Sequence, residues 1–294
     1  MQEIAATPLN IPPATLGEGP IWDPRESVYW WIDIVGKKLF QYSPKTNTNR
    51  EWQLDQMVGT VVPREQGGLM LALQHGFATF DPETGHYAIV HDPEPELPDN
   101  RFNDGKCDPA GRFWAGTMRI EDHMNIFTGS LYSLEVDGHV IKRLDDIGVS
   151  NGIVWSSDAK TMYFIDSPRF AISAFDYDRS TGAISNRRVV FTAKDIGAPD
   201  GMAIDENGKL WVAFWGGWCV AQICPDSGEI LSKVTVPVEQ CSACAFGGDN
   251  LNQLFITTAA EGLSDQQKAH QPLAGNVFVA EVPVRGVLQP AYGG

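Results

Sequence analysis

The stretch NDGKCDPAGRFWAGT, at residues 103–117, reads as a polar strand start, a turn signal and a hydrophobic, aromatic strand. The same frame occurs five more times, twice in a weaker form, in EGPIWDPRESVYWWID (18–33), TVVPREQGGLMLAL (60–73), NGIVWSSDAKTMYFID (151–166), DGMAIDENGKLWVAF (200–214) and SACAFGGDNLNQLFIT (242–257). The six copies begin 42, 43, 48, 49 and 42 residues apart, a period typical of β-propeller blades. The sequence therefore predicts an all-β fold, a six-bladed β-propeller, with residues 1–294 as a single domain.

The segments around the copies complete the predicted ring. Between the copies, apolar and polar residues alternate and Pro, Asp and Gly mark the turns, which is typical of half-buried strands. EIAATPLNIP (3–12) is predicted to supply a missing outer strand, because a propeller does not leave long open sheet edges. GNVFVAEVPVRG (275–286) is predicted to be the closing strand pair, and EGLSDQQKAH (261–270) is the one stretch that could hold a helical turn or two.

Composition restricts the classes of partner. A net charge of -15 argues against nucleic acid and anionic membrane surfaces, but an acidic field attracts divalent cations. No apolar run approaches the roughly 18–20 residues needed to cross a bilayer, and the N-terminus lacks a basic region followed by an apolar one. A cytoplasmic location is therefore predicted. The five cysteines are an odd number in a large chain, which favours reduced thiols. A monomer is predicted, because a propeller needs no partner to close its core.

Oxygen-bearing side chains stand at the first position of four copies, namely Glu18, Asn103, Asn151 and Asp200. If the copies close into a ring, these positions converge on its axis, so a metal site in the central channel is predicted. Oxygen ligands favour hard cations, with Ca²⁺ first, Mg²⁺ and Mn²⁺ as further candidates and Zn²⁺ less favoured. The alternative is that these side chains only satisfy backbone groups around a water-filled channel. The two carboxylates, and Arg101 beside them, favour a ligand site.

Two shorter motifs are typical of other functions, but neither function is favoured here. Residues 148–152 spell G-x-S-x-G, but the nucleophile elbow of serine hydrolases requires a helix after Ser150, and the following residues are strand-like. Cys241 and Cys244 have C-x-x-C spacing without a second such pair, so a buried apolar role is favoured over a redox or zinc role.

The segments LGEGPIWD, RFNDGKCDPAGRFWAGTM, SNGIVWS, PDGMAIDENGKLWVA and QPLAGNVF make the chain resemble the regucalcin and gluconolactonase family of six-bladed propellers, over about residues 16–292. The resemblance implies one divalent metal ion bound by Glu18, Asn151 and Asp200. It also implies that Arg101, Asn103 and Glu121 contact the hydroxyls of a sugar lactone, with Asp122 an alternative to Glu121. Many members are aldonolactone hydrolases, and animal relatives carry calcium-handling names.

The reaction that follows is the opening of a sugar lactone ring to the aldonic acid. In this hypothesis the metal ion polarises the lactone carbonyl, and Asp200 either acts as general base for the attacking water or only orients that water. Trp215 and Trp218 could form an apolar wall for the sugar ring, although packing between blades is favoured for both. The alternatives are a metal-dependent phosphotriesterase-like hydrolase and a non-enzymatic calcium-binding regulatory protein.

Overall fold

Each copy of the repeat supplies the first two strands of one sheet, and the six sheets have four strands each except the fifth, which has five. The computed structural model describes residues 2–193 and 195–294. The chain begins with two short strands, β1 (Gln2–Ala5) and β2 (Thr7–Pro8). The first sheet contains β3 (Gly17–Asp23), β4 (Val28–Asp33), β5 (Lys38–Ser43) and β6 (Thr48–Gln53), and the second contains β7 (Val58–Pro63), β8 (Leu69–Leu73), β9 (Gly76–Asp81) and β10 (His86–His91). The third contains β11 (Asn100–Cys107), β12 (Phe113–Arg119), β13 (Gly129–Leu134) and β14 (Val140–Ile147). The last three contain β15 (Ser150–Trp155), β16 (Thr161–Asp166), β17 (Ala171–Tyr177) and β18 (Ile184–Thr192); β19 (Ala198–Ile204), β20 (Leu210–Trp215), β21 (Cys219–Ile223) and β22 (Ile230–Thr235); and β23 (Cys241–Gly247), β24 (Gln253–Thr258) and β25 (Phe278–Glu281).

The six sheets form a closed ring. The innermost strands β3, β7, β11, β15, β19 and β23 each contact the innermost strand of the next sheet, and β23 returns to β3. Large aromatic side chains fill the space between sheets, and Trp30, Trp31, Trp114 and Trp211 are almost completely buried. The prediction of an all-β, six-bladed β-propeller is therefore confirmed.

The turn after the innermost strand is stabilised in the same way in two of the strong copies. In the third sheet, Asp108 accepts hydrogen bonds from the backbone N–H of Ala110 and Arg112 and from the indole N–H of Trp114, at 2.8, 3.0 and 2.9 Å. In the fifth sheet, Asp205 accepts from the indole N–H of Trp211 at 2.9 Å. The turn signal followed by an aromatic strand in the sequence is thus one hydrogen-bonded unit, in which the aspartate closes the turn.

The N-terminal strands close the ring. β2 pairs antiparallel with β25 and completes the sixth sheet, which confirms the predicted role of residues 3–12. β1 adds an unpredicted fifth strand to the fifth sheet, parallel to β22. The prediction of a closing strand pair in residues 275–286 is wrong in its second half, since only β25 forms there. Pro283 has no N–H to donate to a neighbouring strand, and the chain leaves the sheet at Val282.

Helices are few and short. The predicted helical stretch contains α1 (Asp265–His270), whose first turn carries a capping box between Ser264 and Gln267. A single 3₁₀ turn, Ser167–Arg169, follows β16. Within residues 2–193 and 195–294, no helix combines the length and the apolar character that are needed to cross a bilayer.

Residues 286–294, called the C-terminal strap here, cross the end of the channel where the innermost strands finish. Gly286 pairs with Asp205 in the fifth sheet, and Tyr292 pairs with Arg64 in the second. These two sheets face each other across a six-membered ring. The few residues between the two contacts span at most about 3.3–3.6 Å each, so the strap takes the short path across the axis. The backbone N–H of Gly293 then donates to the carbonyl of Gly111, at 3.0 Å, in the third sheet.

Candidate functional site

A cavity of about 730 Å³ opens at the other end of the channel, where the innermost strands begin. Four of these strands contribute buried polar side chains to its floor, namely Glu18 on β3, Arg101 and Asn103 on β11, Asn151 on β15 and Asp200 on β19. The structure thus brings together five of the six predicted site residues. The ring places them side by side although up to 182 residues separate them in the sequence.

The other two register positions do not reach the cavity. The Thr60 hydroxyl donates to the carbonyl of Gly105 at 3.1 Å, and the Ser242 hydroxyl donates to the carbonyl of Gly17. These two hydroxyls satisfy backbone groups of neighbouring strands. This is the structural role that the sequence left open as an alternative for all the register side chains. The weak repeat copies therefore have a structural role, and the strong copies carry the polar side chains of the cavity.

An irregularity in strand pairing occurs at the register position of every innermost strand. The pairing shifts between Glu18 and Ile21 in β3, between Phe102 and Gly105 in β11 and between Pro199 and Met202 in β19, and β7, β15 and β23 shift at the same place. Such bulges locally bend a strand and re-aim its side chains.

A glycine follows the register residue in three copies, and in two of them, at Gly152 and Gly201, the innermost strands approach closely. Gly19, in the third, has φ 53°. A Cβ on Gly152 would lie 2.7 Å from the carbonyl oxygen of Asp200. A Cβ on Gly201 would lie 2.6 Å from the Cα of Ala243 on the next strand. Only glycine fits this spacing between backbones, so the dipeptides Asn151-Gly152 and Asp200-Gly201 are determined by the narrow inner ring as well as by the site.

A chain of hydrogen bonds fixes the amides of the floor. Arg101 donates from Nη1 to Asn103 Oδ1 at 2.6 Å, and Asn103 donates from Nδ2 to Asn151 Oδ1 at 3.2 Å. Asn151 in turn donates from Nδ2 to the Ser167 hydroxyl at 2.8 Å, and that hydroxyl donates to the carbonyl of Pro199 at 2.6 Å. Each amide nitrogen is occupied by a neighbour, so the orientation of each amide is determined by its partners.

Glu18 and Asp200 are the acidic members of the floor. Burial raises the pKa of Glu18 from 4.5 to about 8, and repulsion from Asp104 adds to this effect. Burial, followed by repulsion from Glu18, raises the pKa of Asp200 well above its usual value. Asp200 Oδ1 is buried and has no hydrogen-bond partner among the described residues. A buried, unpaired carboxylate oxygen beside a second carboxylate is unfavourable, and a cation bound by both would relieve it.

The donor set fits a hard divalent cation. Glu18, Asn151 and Asp200 offer only oxygen atoms, and Asp200 Oδ1 is free to accept a ligand. Within the described residues, no group of three or more His, Cys, Asp and Glu side chains forms a candidate metal cluster. A set of two carboxylates and one amide carries less charge than such a cluster, which leaves room for substrate and solvent oxygens on the same ion.

Two buried charged residues next to the floor were not predicted. Asp104 follows the register residue Asn103, and its Oδ2 atom has no partner among the described residues. Lys106 lies deeper in the channel and donates from Nζ to the carbonyl of Met202 at 2.9 Å. A strict alternation of side chains in β11 would not place 103 and 104 in one channel, so the bulge is the reason that sequence pattern alone missed Asp104.

The mouth of the cavity contains residues from several loops. Glu121, the sixth predicted site residue, is exposed and does not line the cavity, whereas His123 and Met124 of the same loop do. Trp215 lines the cavity, but Trp218 is 43% exposed and lies outside it. The indole of Trp215 is thus placed to contact a ligand, and Trp218 is not.

The G-x-S-x-G motif does not form a nucleophile elbow. Ser150 begins β15, so a strand and not a helix follows it, as predicted. Its side chain is completely buried and does not line the cavity.

Comparisons with known proteins agree with this geometry. Residues 16–260 match the SMP-30/Gluconolactonase/LRE-like region. The chain is 41% identical to regucalcin of Danio rerio over 281 residues, which is 95% of each chain. It is 35% identical to YvrE of Bacillus subtilis, named as a candidate sugar lactone lactonase, over 96% of each chain. Among solved structures, the calcium-binding protein regucalcin of Agrobacterium tumefaciens superposes with a TM-score of 0.93 at 30% identity, over 99% of this chain and 98% of that one. The chain therefore belongs to the SMP-30/gluconolactonase/LRE-like family.

Proposed function

We propose that this protein is a metal-dependent hydrolase that opens a sugar lactone to the corresponding aldonic acid. The observation that carries the proposal concerns Asp200 Oδ1, which is buried near Glu18 on the floor of an open cavity and has no hydrogen-bond partner within residues 2–193 and 195–294. Glu18, Asn151 and Asp200 would hold the ion, with Ca²⁺ as the first choice among Ca²⁺, Mg²⁺, Mn²⁺ and Zn²⁺. The family, and the lactonase and calcium-binding names of two relatives, support this assignment.

The residues around the ion site have separate roles in the proposed reaction. A divalent cation held there supplies a Lewis acid for the lactone carbonyl. Asp200 accepts a proton from the water that attacks the carbonyl carbon, the bond from that carbon to the ring oxygen breaks, and the proton passes to the ring oxygen as it leaves. The product is an open-chain hydroxy acid, so water is consumed and no other reactant is needed.

Arg101 and Asn103 bind the hydroxyl groups of the substrate in this proposal. Arg101 lies on the cavity floor, and burial lowers its pKa to about 10, so it stays charged at neutral pH. A guanidinium beside an amide offers several donors and acceptors to a polyol, and these groups are left unpaired when a ligand lacks hydroxyls. Glu121 is proposed as a further contact, because its loop continues into the cavity-lining residues His123 and Met124. The carboxylate of Asp122 already accepts a hydrogen bond from Asn125 at 2.7 Å, which favours Glu121 over Asp122.

The test is initial-rate hydrolysis of a panel of aldonolactones after chelation and readdition of each of the four ions. We expect one ion to restore turnover and Asp200→Asn to lower kcat/KM by about a thousandfold, in line with the loss of a catalytic group that is also a metal ligand. Asp158→Asn, in an exposed turn at the other end of β15, is the matched control and leaves the rate unchanged.

The same assay separates the alternative functions. Calcium binding without turnover of any lactone would favour a calcium-binding protein, in line with the name of the Agrobacterium tumefaciens relative. Turnover of phosphotriesters in place of lactones would favour the phosphotriesterase-like alternative. Lactone opening only at the spontaneous rate with every ion would refute the proposed activity.

A further inference from the structure

The cavity has two chemically different zones. Its floor is polar, whereas its mouth carries an apolar arc, which we define as Met118, Met124, Val149, Phe170 and Trp215. Met118 and Trp215 lie on strands of the third and fifth sheets, and Met124, Val149 and Phe170 lie in loops of the third and fourth sheets. These sheets are consecutive in the ring, so the arc occupies one side of the mouth. Glu239, in the loop between β22 and β23, and Glu261, in the loop after β24, line the mouth as well.

The cavity is much larger than a monosaccharide lactone. Such a lactone fills the space of roughly six or seven water molecules at about 30 Å³ each. The cavity measures about 730 Å³, which is in the range of sites for drug-sized ligands, about 300–1,000 Å³. A ligand whose lactone ring reaches the floor therefore leaves the mouth free for a substituent.

Phe170 is the most unusual member of the apolar arc. Its backbone has φ 48°, in the left-handed region that glycine favours and bulky residues rarely adopt. Its side chain is 40% exposed and lines the cavity. The backbone N–H of Phe170 donates to the carbonyl of Ser167 at 2.9 Å, closing the 3₁₀ turn that also places the Ser167 hydroxyl on Asn151. Trp218 shares an exposed ring and a left-handed backbone, with φ 58° and 43% exposure, but it lies outside the cavity, whereas Phe170 lines the cavity and is open to a ligand there.

The methionines and Trp215 complement this ring. Met124 is 43% exposed at the opening, and Met118 is buried at the end of β12. Methionine side chains are flexible and polarisable and adapt to apolar ligands of varied shape, and an indole supplies a rigid apolar wall. The hydroxyl-rich face of an aldonolactone cannot use such a surface fully, whereas an alkyl chain can.

From these observations we infer that the apolar arc is a subsite for an alkyl substituent of the substrate. The preferred lactones then keep the ring hydroxyls that Arg101 and Asn103 bind and carry a hydrocarbon chain on the ring carbon next to the ring oxygen, with the ring on the polar floor and the chain against Phe170 and Met124. The inference deepens the proposed function and rests on it, since it names the class of lactone that the same site takes.

The test compares 2,3-dihydroxy-γ-lactones whose alkyl chain on the ring carbon next to the ring oxygen grows from one to six carbons, with the ion that restores activity present throughout. A fully buried methylene group contributes about a fourfold effect, so a partly open mouth predicts a two- to fourfold rise in kcat/KM per methylene. Phe170→Gly removes the ring at a backbone position that glycine accepts, so the variant keeps its fold. We expect it to reduce the ratio of kcat/KM between the longest and shortest lactones at least fivefold. Val189→Ala, which removes an exposed apolar group on β18 outside the cavity, leaves this ratio unchanged.

Binding of the corresponding γ-alkyl lactams, measured by calorimetry, separates the two proposals. A lactam keeps the ring and the chain but is not hydrolysed on the time scale of the assay. If the affinity for the lactams rises with chain length and Phe170→Gly removes this rise, the subsite is supported even where no lactone is turned over. A chain-length series that is flat in both rates and affinities, with aldonolactones turned over normally, overturns the subsite and leaves the proposed function intact. A rise of equal slope in wild type and Phe170→Gly also overturns it.

Discussion

At the scale of single residues, the cavity floor holds acids where solvation is poor. Glu18 and Asp200 are both buried, and each raises the cost of ionising the other. A protein that only needed polar groups around a channel could use hydroxyls here, as it does at Thr60 and Ser242. The carboxylates therefore destabilise the fold unless a proton or a cation is bound, and stability should report on both.

The first prediction concerns the pH dependence of stability in protein freed of divalent ions by chelation. The pKa of Glu18 is raised from 4.5 to about 8, so the folded state keeps a proton that the unfolded chain releases. Its stabilising contribution is complete below about pH 4.5 and is lost as the pH rises through about 8. At roughly 1.4 kcal/mol per pKa unit, the loss amounts to a few kcal/mol. Urea unfolding between pH 5 and 8 measures it.

The matched variants for this prediction are Glu18→Gln and Glu83→Gln. Glu18→Gln makes the fall in stability shallower, because no proton is exchanged at this position and only the contribution of Asp200 remains. Glu83→Gln, with a side chain 83% exposed on the surface, leaves it unchanged. An equal slope in both variants would contradict the assigned role of Glu18.

The second prediction concerns cysteine reactivity. All five cysteines are free thiols, and the C-x-x-C residues Cys241 and Cys244 are buried in β23. Hydrogen bonds from Ser227, with help from Lys209, lower the pKa of Cys224 from 9.0 to about 7. Burial raises the pKa of Cys241 well above its usual value. Iodoacetamide should therefore modify Cys224 selectively, with a rate that reaches half its maximum near pH 7.

Mass spectrometry of the modified peptides checks this order of reactivity. Ser227→Ala should move the midpoint for Cys224 toward the ordinary thiol value, because it removes a hydrogen bond to the thiolate. Modification of Cys241 in the folded protein, or a midpoint for Cys224 near pH 9 before any substitution, would show that the assignment is wrong.

At the scale of elements, the repeat was readable from the sequence because each copy uses the same two devices. A polar side chain marks the start of the innermost strand, and Asp108 or Asp205 closes the turn that follows. Both devices depend on neighbours within a few residues, so a linear pattern contains them. The bulges are different, since they interrupt the strict alternation of side chains that a linear pattern assumes. The sequence therefore predicted Asn103 at the site but not Asp104, one residue further along.

The third prediction tests the turn device. Asp205 is buried and accepts hydrogen bonds from Trp211, Gln222 and two backbone N–H groups. Asp205→Ala leaves the indole N–H of Trp211 buried without its partner, so we expect a loss of roughly 2–4 kcal/mol in the free energy of unfolding. Ser156→Ala is the matched control at the equivalent turn of β15, where the hydroxyl accepts two backbone N–H groups near the surface. The control should lose less than about 1 kcal/mol. Equal losses for both variants in urea unfolding would contradict the role of Asp205 in stabilising the turn.

At the scale of the whole molecule, closure depends on both chain ends. The N-terminal strands join the fifth and sixth sheets, and the C-terminal strap joins the fifth, second and third. The N-terminal contribution was predicted because a ring of strands requires it. The strap was not, since Val287, Leu288 and Gln289 form no repeat and their position depends on contacts with distant turns. Ser167 was missed for the same reason, because it lies in a 3₁₀ turn outside the repeat frame.

The fourth prediction concerns the strap. Tyr292 is 4% exposed, and its hydroxyl donates to the carbonyl of Glu135 at 2.8 Å. Tyr292→Ala should lower the free energy of unfolding by roughly 3 kcal/mol, as for other buried aromatic side chains. The kcat/KM per folded molecule should not change, because Tyr292 lies at the end of the channel opposite the cavity. Leu288→Ala, at a side chain 44% exposed in the same strap, should cost little. A fall in kcat/KM for Tyr292→Ala at full folding would contradict this separation.

The C-terminal strap crosses the channel at the end opposite the cavity mouth. In the proposed reaction, the uncharged lactone substrate enters through the cavity mouth, and the carboxylate product leaves through it. Glu239 and Glu261 stand at that opening in a chain of net charge -15. These carboxylates neither attract nor repel an uncharged substrate, but they repel a carboxylate product, which favours its release. Faster release of the product through the cavity mouth would limit product inhibition.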